Sequence, residues 1–259
     1  MRRPRLLIVQ PYVRPVGGGN AVTAWALQAL REDYEVTLAT LDAVECAALN
    51  RSFGTSLSDR DFEVRIAPAG YQRMLHLVPT QGALLECNLT VRWACALDRE
   101  NPYDVLFSTQ NEADFGRPAI QYIHYPAWYL PRPDFEMKWF HKIPGVLAAY
   151  RAACFRISGA TGKGVSRNLS VVNSAFVAER TREIHGGNPV VIHPPVPGDF
   201  PEVPWPARRA SFAAVGRFSE YKRWPMAVAI QDAVPEVLEI VDVTDHASGS
   251  NPYYEPAKK

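Results

Sequence analysis

Short apolar runs separated by a helical repeat organise the start of the chain. The segments "RLLIVQ" (5–10) and "EVTLAT" (35–40) are compact and apolar, which is typical of parallel strands buried on both faces. Between them, six apolar residues recur at helical spacing: Ala21, Val22, Trp25, Ala26, Ala29 and Leu30. Asn20 precedes them and is predicted as the helix N-cap. This order of strand, glycine-rich turn, helix and strand predicts a doubly wound, Rossmann-like α/β fold.

The same alternation continues to residue 196. Further strands are predicted in five segments: "FEVRIAP" (62–68), "DVLFST" (104–109), "AIQYIHY" (119–125), "LSVVNS" (169–174) and "PVVIHPP" (189–195). Helical patterns occupy Gly82–Arg99 and Ile143–Ser158. Between the last two strands, an Asn-Ser pair precedes a polar, helix-like stretch, which predicts a capped helix there. Residues 1–196 are therefore predicted to form one Rossmann-like domain.

A proline-rich linker separates this domain from a second, shorter region. Six prolines lie between Pro194 and Pro206, a density that neither a helix nor a central strand tolerates. The pattern of strand, turn and helix then restarts at "ASFAAVGRF", and "VLEIVDVTD" is predicted as one more strand. The linker is placed at 197–209. Residues 210–259 are interpreted as the beginning of a second Rossmann-like domain, since about 100 residues complete one.

Composition and charge exclude several classes of protein. Apolar residues make up 47% of the chain and the net charge is +1, so no overall basic field indicates a nucleic-acid partner. The apolar run Leu6–Val9 is too short for a secretion signal, and no segment is long enough to span a bilayer. A cytoplasmic location is therefore expected. The four cysteines are widely spaced, which favours free thiols over disulfides or a metal site.

Two features lie at predicted carboxyl ends of strands, where doubly wound folds bind ligands. Gly17, Gly18 and Gly19 follow the first strand and precede a helix. Glycine lets a ligand approach the backbone, and the helix N-terminus offers free N–H groups to an anion. A tight turn without a ligand is the alternative, and the spacing lacks the dinucleotide pattern G-x-G-x-x-G. His124 ends "AIQYIH" and either hydrogen-bonds a ligand or caps local backbone.

Two segments combine basic residues with glycines and are candidates for a phosphate site. "GATGKG" (159–164) lacks the spacing of a Walker A loop, and a flexible connector is predicted there. Arg217 and Lys222 follow the strand "FAAVG". A guanidinium fork and an ammonium point charge together suit a diphosphate, whereas solvated surface charges are the alternative.

An aromatic and basic stretch follows His124. Within "YIHYPAWYLPRPDFEMKWFHKIPG" its aromatic residues are Trp128, Tyr129, Phe135, Trp139 and Phe140, and its basic ones are Arg132, Lys138 and Lys142. This mixture is found where proteins lie on a membrane surface. It equally fits the packing of a long loop, and both interpretations stay open.

Taken together, these pieces resemble a known family. The order of glycine-rich turn, "YIHYP", "VVNSAFVAERTREI", "VVIHPPV", proline linker and "AVGRFSEYKR" is similar to the GT-B retaining glycosyltransferases of family 4, which use nucleotide sugars. It is most like the branch with the mannosyltransferases that build dolichol-linked oligosaccharides. The resemblance spans about Leu6 to Arg223. It implies an acceptor-side domain at 1–196, a donor-side domain beginning at 210, and a glycan or lipid-linked acceptor.

The resemblance also implies roles for individual residues. Gly17–Gly19 would face the donor diphosphate and the reacting sugar, and His124 would contact that sugar as the catalytic residue. Asn173 and Ser174 lie at a strand end among the donor-binding residues. Arg217 and Lys222 would neutralise the leaving nucleoside diphosphate. No cofactor and no bound metal are expected, since fixed cations would stabilise the leaving group.

The chain departs from the family in one respect. Members of the family have an acidic E-x7-E motif in the donor-side domain, and no glutamates with that spacing follow Lys222. A transferase with a truncated donor-side domain, transferring mannose or a similar hexose with retention, is one hypothesis. The alternative is a non-catalytic GT-B N-terminal domain that acts as a binding or partner subunit. Incomplete apolar surfaces predict self-association or a partner chain, and peripheral membrane contact is a further expectation.

Overall fold

The computed structural model describes residues 2–75, 84–128, 139, 143–196, 198, 201–208, 211–216, 222–233 and 237–242. The strands are β1 Arg5–Val9, β2 Glu35–Thr40, β3 Glu63–Ile66, β4 Val105–Ser108, β5 Ile120–Ile123, β6 Leu169–Val172, β7 Val190–Val191, β8 Ser211–Gly216 and β9 Val237–Asp242. The helices are α1 Gly18–Leu30, α2 Cys46–Phe53, α3 Ala69–Leu75, α4 Leu84–Glu100, α5 Val146–Ser158, α6 Gly162–Ser166, α7 Ala175–His185 and α8 Trp224–Ala233.

Two compact units make up the chain, of which the first ends at Pro197 and the second begins at Gly198. In the first unit, seven strands form a parallel sheet in the order β3-β2-β1-β4-β5-β6-β7. In the second, β8 and β9 pair in parallel, with α8 between them in sequence. The doubly wound, Rossmann-like α/β fold predicted from the sequence is confirmed.

Both faces of β1 are buried, which explains its unbroken apolar sequence. Leu6 and Ile8 belong to a core cluster with α1 and α2, whereas Leu7 and Val9 belong to a second cluster with α4. All four side chains are nearly or fully buried. Each contributes roughly 1.5–3 kcal/mol through burial, so this central strand cannot alternate with polar residues.

One face of the sheet carries an apolar groove beside α1. A groove of about 470 Å³ lies there. Its floor is formed by side chains of β4, β5 and β6, and Val22, Trp25 and Ala26 of α1 form one wall. Leu169 and Ile192, which also line the groove, are each about half exposed. This part of a parallel sheet, normally covered on both faces, is uncovered among the described residues.

Three local predictions were wrong. Helix α1 begins at Gly18 with Gly17 as N-cap, so Asn20 lies inside the first turn, and its amide donates back to the Val16 carbonyl. Strand β7 ends at Val191 instead of reaching Pro195. The Ile192 N–H still donates to the Val172 carbonyl at 2.9 Å, whereas Pro194 and Pro195 have no N–H with which to continue the ladder. The linker at 197–209 stays a prediction; its residues Trp205–Ala207 form a 3₁₀ turn, which tolerates a proline near its start.

The third wrong prediction concerns the "GATGKG" segment, which forms a short helix and not a flexible connector. Helix α6 begins at Gly162, and the Thr161 hydroxyl caps it by accepting the N–H of Gly164 at 3.0 Å. The Asp114 carboxylate accepts the N–H and the hydroxyl of Thr161, both at 2.9 Å. A Cβ on Gly164 would overlap that carboxylate. The glycine is therefore needed for close packing.

Candidate functional site

Four loops meet at the edge of the sheet where the parallel strands end. They are the glycine turn 17–19 after β1, the polar run 109–112 after β4, the turn 124–128 after β5 and the pair 173–174 after β6. Carboxyl ends of parallel strands share one edge of a sheet, which is where doubly wound folds place ligands. The neighbouring positions of β1, β4, β5 and β6 in the sheet bring these segments together.

The His124 imidazole is fixed by one hydrogen bond at this edge. Its Nε2 lies 2.9 Å from the Thr109 carbonyl oxygen, so the Nε2–H donates and Nδ1 is left as the acceptor. Burial lowers the pKa of His124 below its ordinary 6.5, and the bond to Thr109 only partly opposes this shift. The ring is therefore neutral at pH 7 and can accept a hydrogen bond from a hydroxyl group.

The glycine turn lies directly beside this ring. A Cβ on Gly19 would lie 3.3 Å from His124 Nε2. A Cβ on Gly17 or Gly18 would have no atom of the described residues within 4 Å. Gly17 has a φ of 97°, which favours glycine. As N-cap it has no side chain with which to satisfy the first N–H groups of α1. The start of α1 is thus an open, electropositive backbone site next to His124.

A buried polar network ties this turn to the neighbouring strands. The Thr23 hydroxyl in α1 lies 2.8 Å from that of Thr109, which in turn lies 3.2 Å from the Gln10 amide oxygen. Thr23 and Thr109 are fully buried. Because such buried groups keep their partners, the ends of β1, β4 and α1 are held in one arrangement.

Asn173 and Ser174 both make hydrogen bonds within the protein. The Ser174 hydroxyl caps α7 by accepting the N–H of Val177 at 3.3 Å, and it donates to the Asn173 amide oxygen at 3.0 Å. The Asn173 amide donates to the His124 carbonyl at 2.7 Å. The cap predicted from the Asn-Ser pair is therefore present. A donor-binding role for these two residues stays a prediction.

The sequence interpretation missed Asn111 and Glu112 in the polar run after β4. The Asn111 amide oxygen accepts the N–H groups of His124 at 2.8 Å and Tyr125 at 3.3 Å. The fully buried Glu112 carboxylate accepts the N–H groups of Ala127 at 2.9 Å and Trp128 at 3.2 Å. A run of polar residues directly after an apolar strand was the available signal, because only groups with partners are buried there.

His185 completes this buried arrangement. Its Nε2 lies 3.2 Å from Glu112 Oε1, and its side chain is 4% exposed. The Trp128 ring packs against His185 and against Phe155, with centroid distances of 5.8 and 4.4 Å. Trp128 therefore packs inside the first unit, which favours the loop-packing interpretation for this one aromatic residue.

The remaining predicted residues lie in or near the second unit, or outside the described part of the chain. Lys222 is exposed just before α8, and its Cδ lies 3.5 Å from where a Cβ on Gly216 would stand, so its methylenes cross the end of β8. Arg217 lies outside the described residues. Of the eight aromatic and basic residues singled out after His124, Trp128 and Trp139 are the ones that the structure describes, and Trp139 is 77% exposed.

The described residues contain neither a candidate membrane-spanning helix nor a candidate metal site. No helix among them is long and apolar enough to cross a membrane. No group of three or more histidine, cysteine, aspartate or glutamate side chains in the described ranges is arranged to hold a metal ion. All four cysteines have free thiols, as predicted from their spacing.

Similarity to known proteins is found at the level of the three-dimensional structure. No family model and no curated protein matches the chain. A crystal structure of Alr3699/HepE from Anabaena, in complex with UDP and glucose, is similar over 99% of this chain and 65% of that one, with a TM-score of 0.51 and 14% identity. The glycotransferase of kitacinnamycin is similar over 97% and 69%, with a TM-score of 0.50 and 17% identity.

The chain has the Rossmann-like fold of GT-B glycosyltransferases. It spans about two thirds of the length of the two solved structures. Because both are less than 20% identical to it, they identify the fold, and the chemistry has to be argued from the site.

Proposed function

We propose that the chain is a nucleotide-sugar-dependent glycosyltransferase. It would transfer mannose or a similar hexose to a glycan or lipid-linked acceptor with retention, and without a metal or cofactor. One observation supports this most strongly: the neutral His124 ring, with Nδ1 as acceptor, lies beside the open N-terminus of α1. The His124 ring suits a sugar hydroxyl, and the N-terminus of α1 suits a diphosphate.

Each group would have a separate role in the reaction. The first N–H groups of α1 would bind the diphosphate through hydrogen bonds and the helix dipole. His124 Nδ1 would accept a hydrogen bond from a hydroxyl of the donor sugar. By resemblance to the family alone, Arg217 and Lys222 would neutralise the leaving nucleoside diphosphate. Stabilising charge on the leaving group is the main electrostatic contribution expected.

Nucleotide binding tests this proposal directly. Titration calorimetry with GDP, UDP and ADP, and then with the matching sugar nucleotides, should find at least one that binds. Lys222→Ala should weaken binding of the nucleoside diphosphate about tenfold, the effect of losing one charged hydrogen bond. Lys163→Ala is the matched control, since Lys163 is also exposed beside glycines in the short helix α6.

The His124→Ala variant distinguishes sugar recognition from phosphate recognition. It should bind the nucleoside diphosphate as well as the wild type does. It should lose the additional affinity for the sugar nucleotide, and it should not transfer sugar to mixed lipid acceptors. Absence of binding for every nucleotide tested would refute the proposed enzyme. Unchanged affinity in Lys222→Ala would remove that residue from the site.

A non-catalytic binding or partner subunit is the second candidate, and the open apolar groove beside α1 favours it. Leu169 and Ile192 are half exposed there, and a groove of this kind commonly marks an interaction surface. We expect self-association at high concentration in light scattering, reduced by Leu169→Lys. Phe176→Lys is the control, because Phe176 is equally exposed but does not line the groove. A monomer at all concentrations would contradict this candidate.

A further inference from the structure

Asn111 has a backbone conformation that its side chain makes costly. It follows β4 at the sheet edge and has a φ of 104°, beyond the left-handed region that asparagine visits most readily. A glycine would adopt this conformation without steric cost. Strained residues of this kind persist where their surroundings determine them, and they concentrate at functional sites.

The surroundings of Asn111 hold it from both sides. Its N–H donates to the Tyr122 carbonyl at 3.1 Å, and the Ser108 hydroxyl donates to its carbonyl at 3.1 Å. Its side-chain oxygen then accepts two N–H groups of the turn after β5, those of His124 and Tyr125. The residue therefore bridges the end of β4 to the segment that contains His124.

We infer that Asn111 is a positioning residue for His124, acting through its side-chain amide oxygen. The Asn111 oxygen holds the His124 N–H at 2.8 Å, while the Asn173 amide holds the His124 carbonyl at 2.7 Å. With its main chain fixed on both sides, the His124 ring reaches the Thr109 carbonyl with Nε2 and keeps Nδ1 as acceptor. The use of that nitrogen for a ligand rests on the proposed function, whereas the positioning does not.

Three substitutions separate positioning from a merely structural role. Asn111→Asp keeps an oxygen acceptor in the same place. Asn111→Ala removes the acceptor but keeps the strain of a Cβ at positive φ, and Asn111→Gly removes both. A structural role predicts that stability alone changes, with Ala the worst variant. A positioning role predicts that Ala and Gly disturb His124 alike, although Gly removes the strain.

The measurement is the state of the His124 ring, read from long-range ¹H–¹⁵N spectra of histidine-labelled protein and assigned with His124→Gln. The wild type should show the Nε2–H tautomer and a pKa below 6.5. Asn111→Asp should show the same tautomer, with a pKa raised by the added negative charge. Asn111→Gly and Asn111→Ala should show mixed tautomers and a pKa closer to that ordinary value. Asn111→Gly should unfold at a higher temperature than Asn111→Ala. Wild-type spectra in the Gly and Ala variants would overturn the inference.

A binding measurement then shows whether the positioning serves a ligand. GDP-mannose and UDP-glucose are the probes, each titrated into the wild type and the three variants. Asn111→Gly should bind about tenfold more weakly than the wild type. If the wild type binds neither probe, the proposed function fails for these donors while the ring spectra still decide the role of Asn111. Equal binding by Asn111→Gly and the wild type would overturn any role toward the ligand.

Discussion

Gly164→Ala should destabilise the first unit by about 3 kcal/mol, at the upper end of what overpacking costs. The added methyl would overlap the Asp114 carboxylate. That carboxylate cannot move away freely, since it accepts hydrogen bonds from the N–H and hydroxyl of Thr161 and from the Gly116 N–H. Urea denaturation followed by circular dichroism measures the loss.

The same helix offers a matched control. A Cβ on Gly162 would make an ordinary contact of 3.8 Å with the Trp128 ring, so Gly162→Ala should be neutral or stabilise by up to about 1 kcal/mol through helix propensity. Gly164→Ala should also cost much less in an Asp114→Ala background, because the two groups would no longer overlap. Equal losses in both backgrounds would show that the carboxylate is not the cause.

Glu112→Ala is expected to cost about 3 kcal/mol or more, because one buried donor left unsatisfied costs about 1–3 kcal/mol and this change removes the acceptor of several. The fully buried carboxylate accepts the N–H groups of Ala127 and Trp128 and faces His185 Nε2 at 3.2 Å. Its removal leaves all three donors without an acceptor in a buried region. Thermal and urea denaturation measure the change in the free energy of unfolding.

Two other variants check this cause. Glu112→Gln keeps one carbonyl oxygen and should therefore lose less stability than Glu112→Ala. Glu183→Ala removes an exposed carboxylate that pairs with Arg180 at 2.8 Å on the same helix, α7, and should cost at most about 0.5 kcal/mol. Similar losses for Glu112→Ala and Glu183→Ala would mean that burial does not set the strength of the Glu112 contacts.

The elements of the fold were largely predictable because apolar spacing is a local property. Strand β2 was predicted with the bounds that the structure gives it, and the apolar runs of β1, β4, β5 and β6 each contain the observed strand. Helices α2, α3 and α6 were missed. The last of these is only five residues long and contains two glycines, so its sequence has no helical repeat to detect.

The candidate site was predictable only in part. Position at a strand end was sufficient to select His124 and the glycine turn, because in parallel sheets all strand ends share one edge. The hydrogen bond from Asn173 to the His124 carbonyl was not foreseeable, since the two residues are 49 positions apart. Asn111 was overlooked because the sequence does not show which asparagine has a positive φ.

By itself, the sequence determined the alternation of strands and helices and therefore the class of fold, because burial of both sheet faces requires apolar runs of a certain length. The tertiary structure alone decided which polar side chains pair with one another at the ends of the strands. Glu112 meets His185 across 73 residues, and Asp114 meets Thr161 across 47. Pairs so far apart have no shared local pattern, and they form only once the packed sheet brings the ends of its strands together.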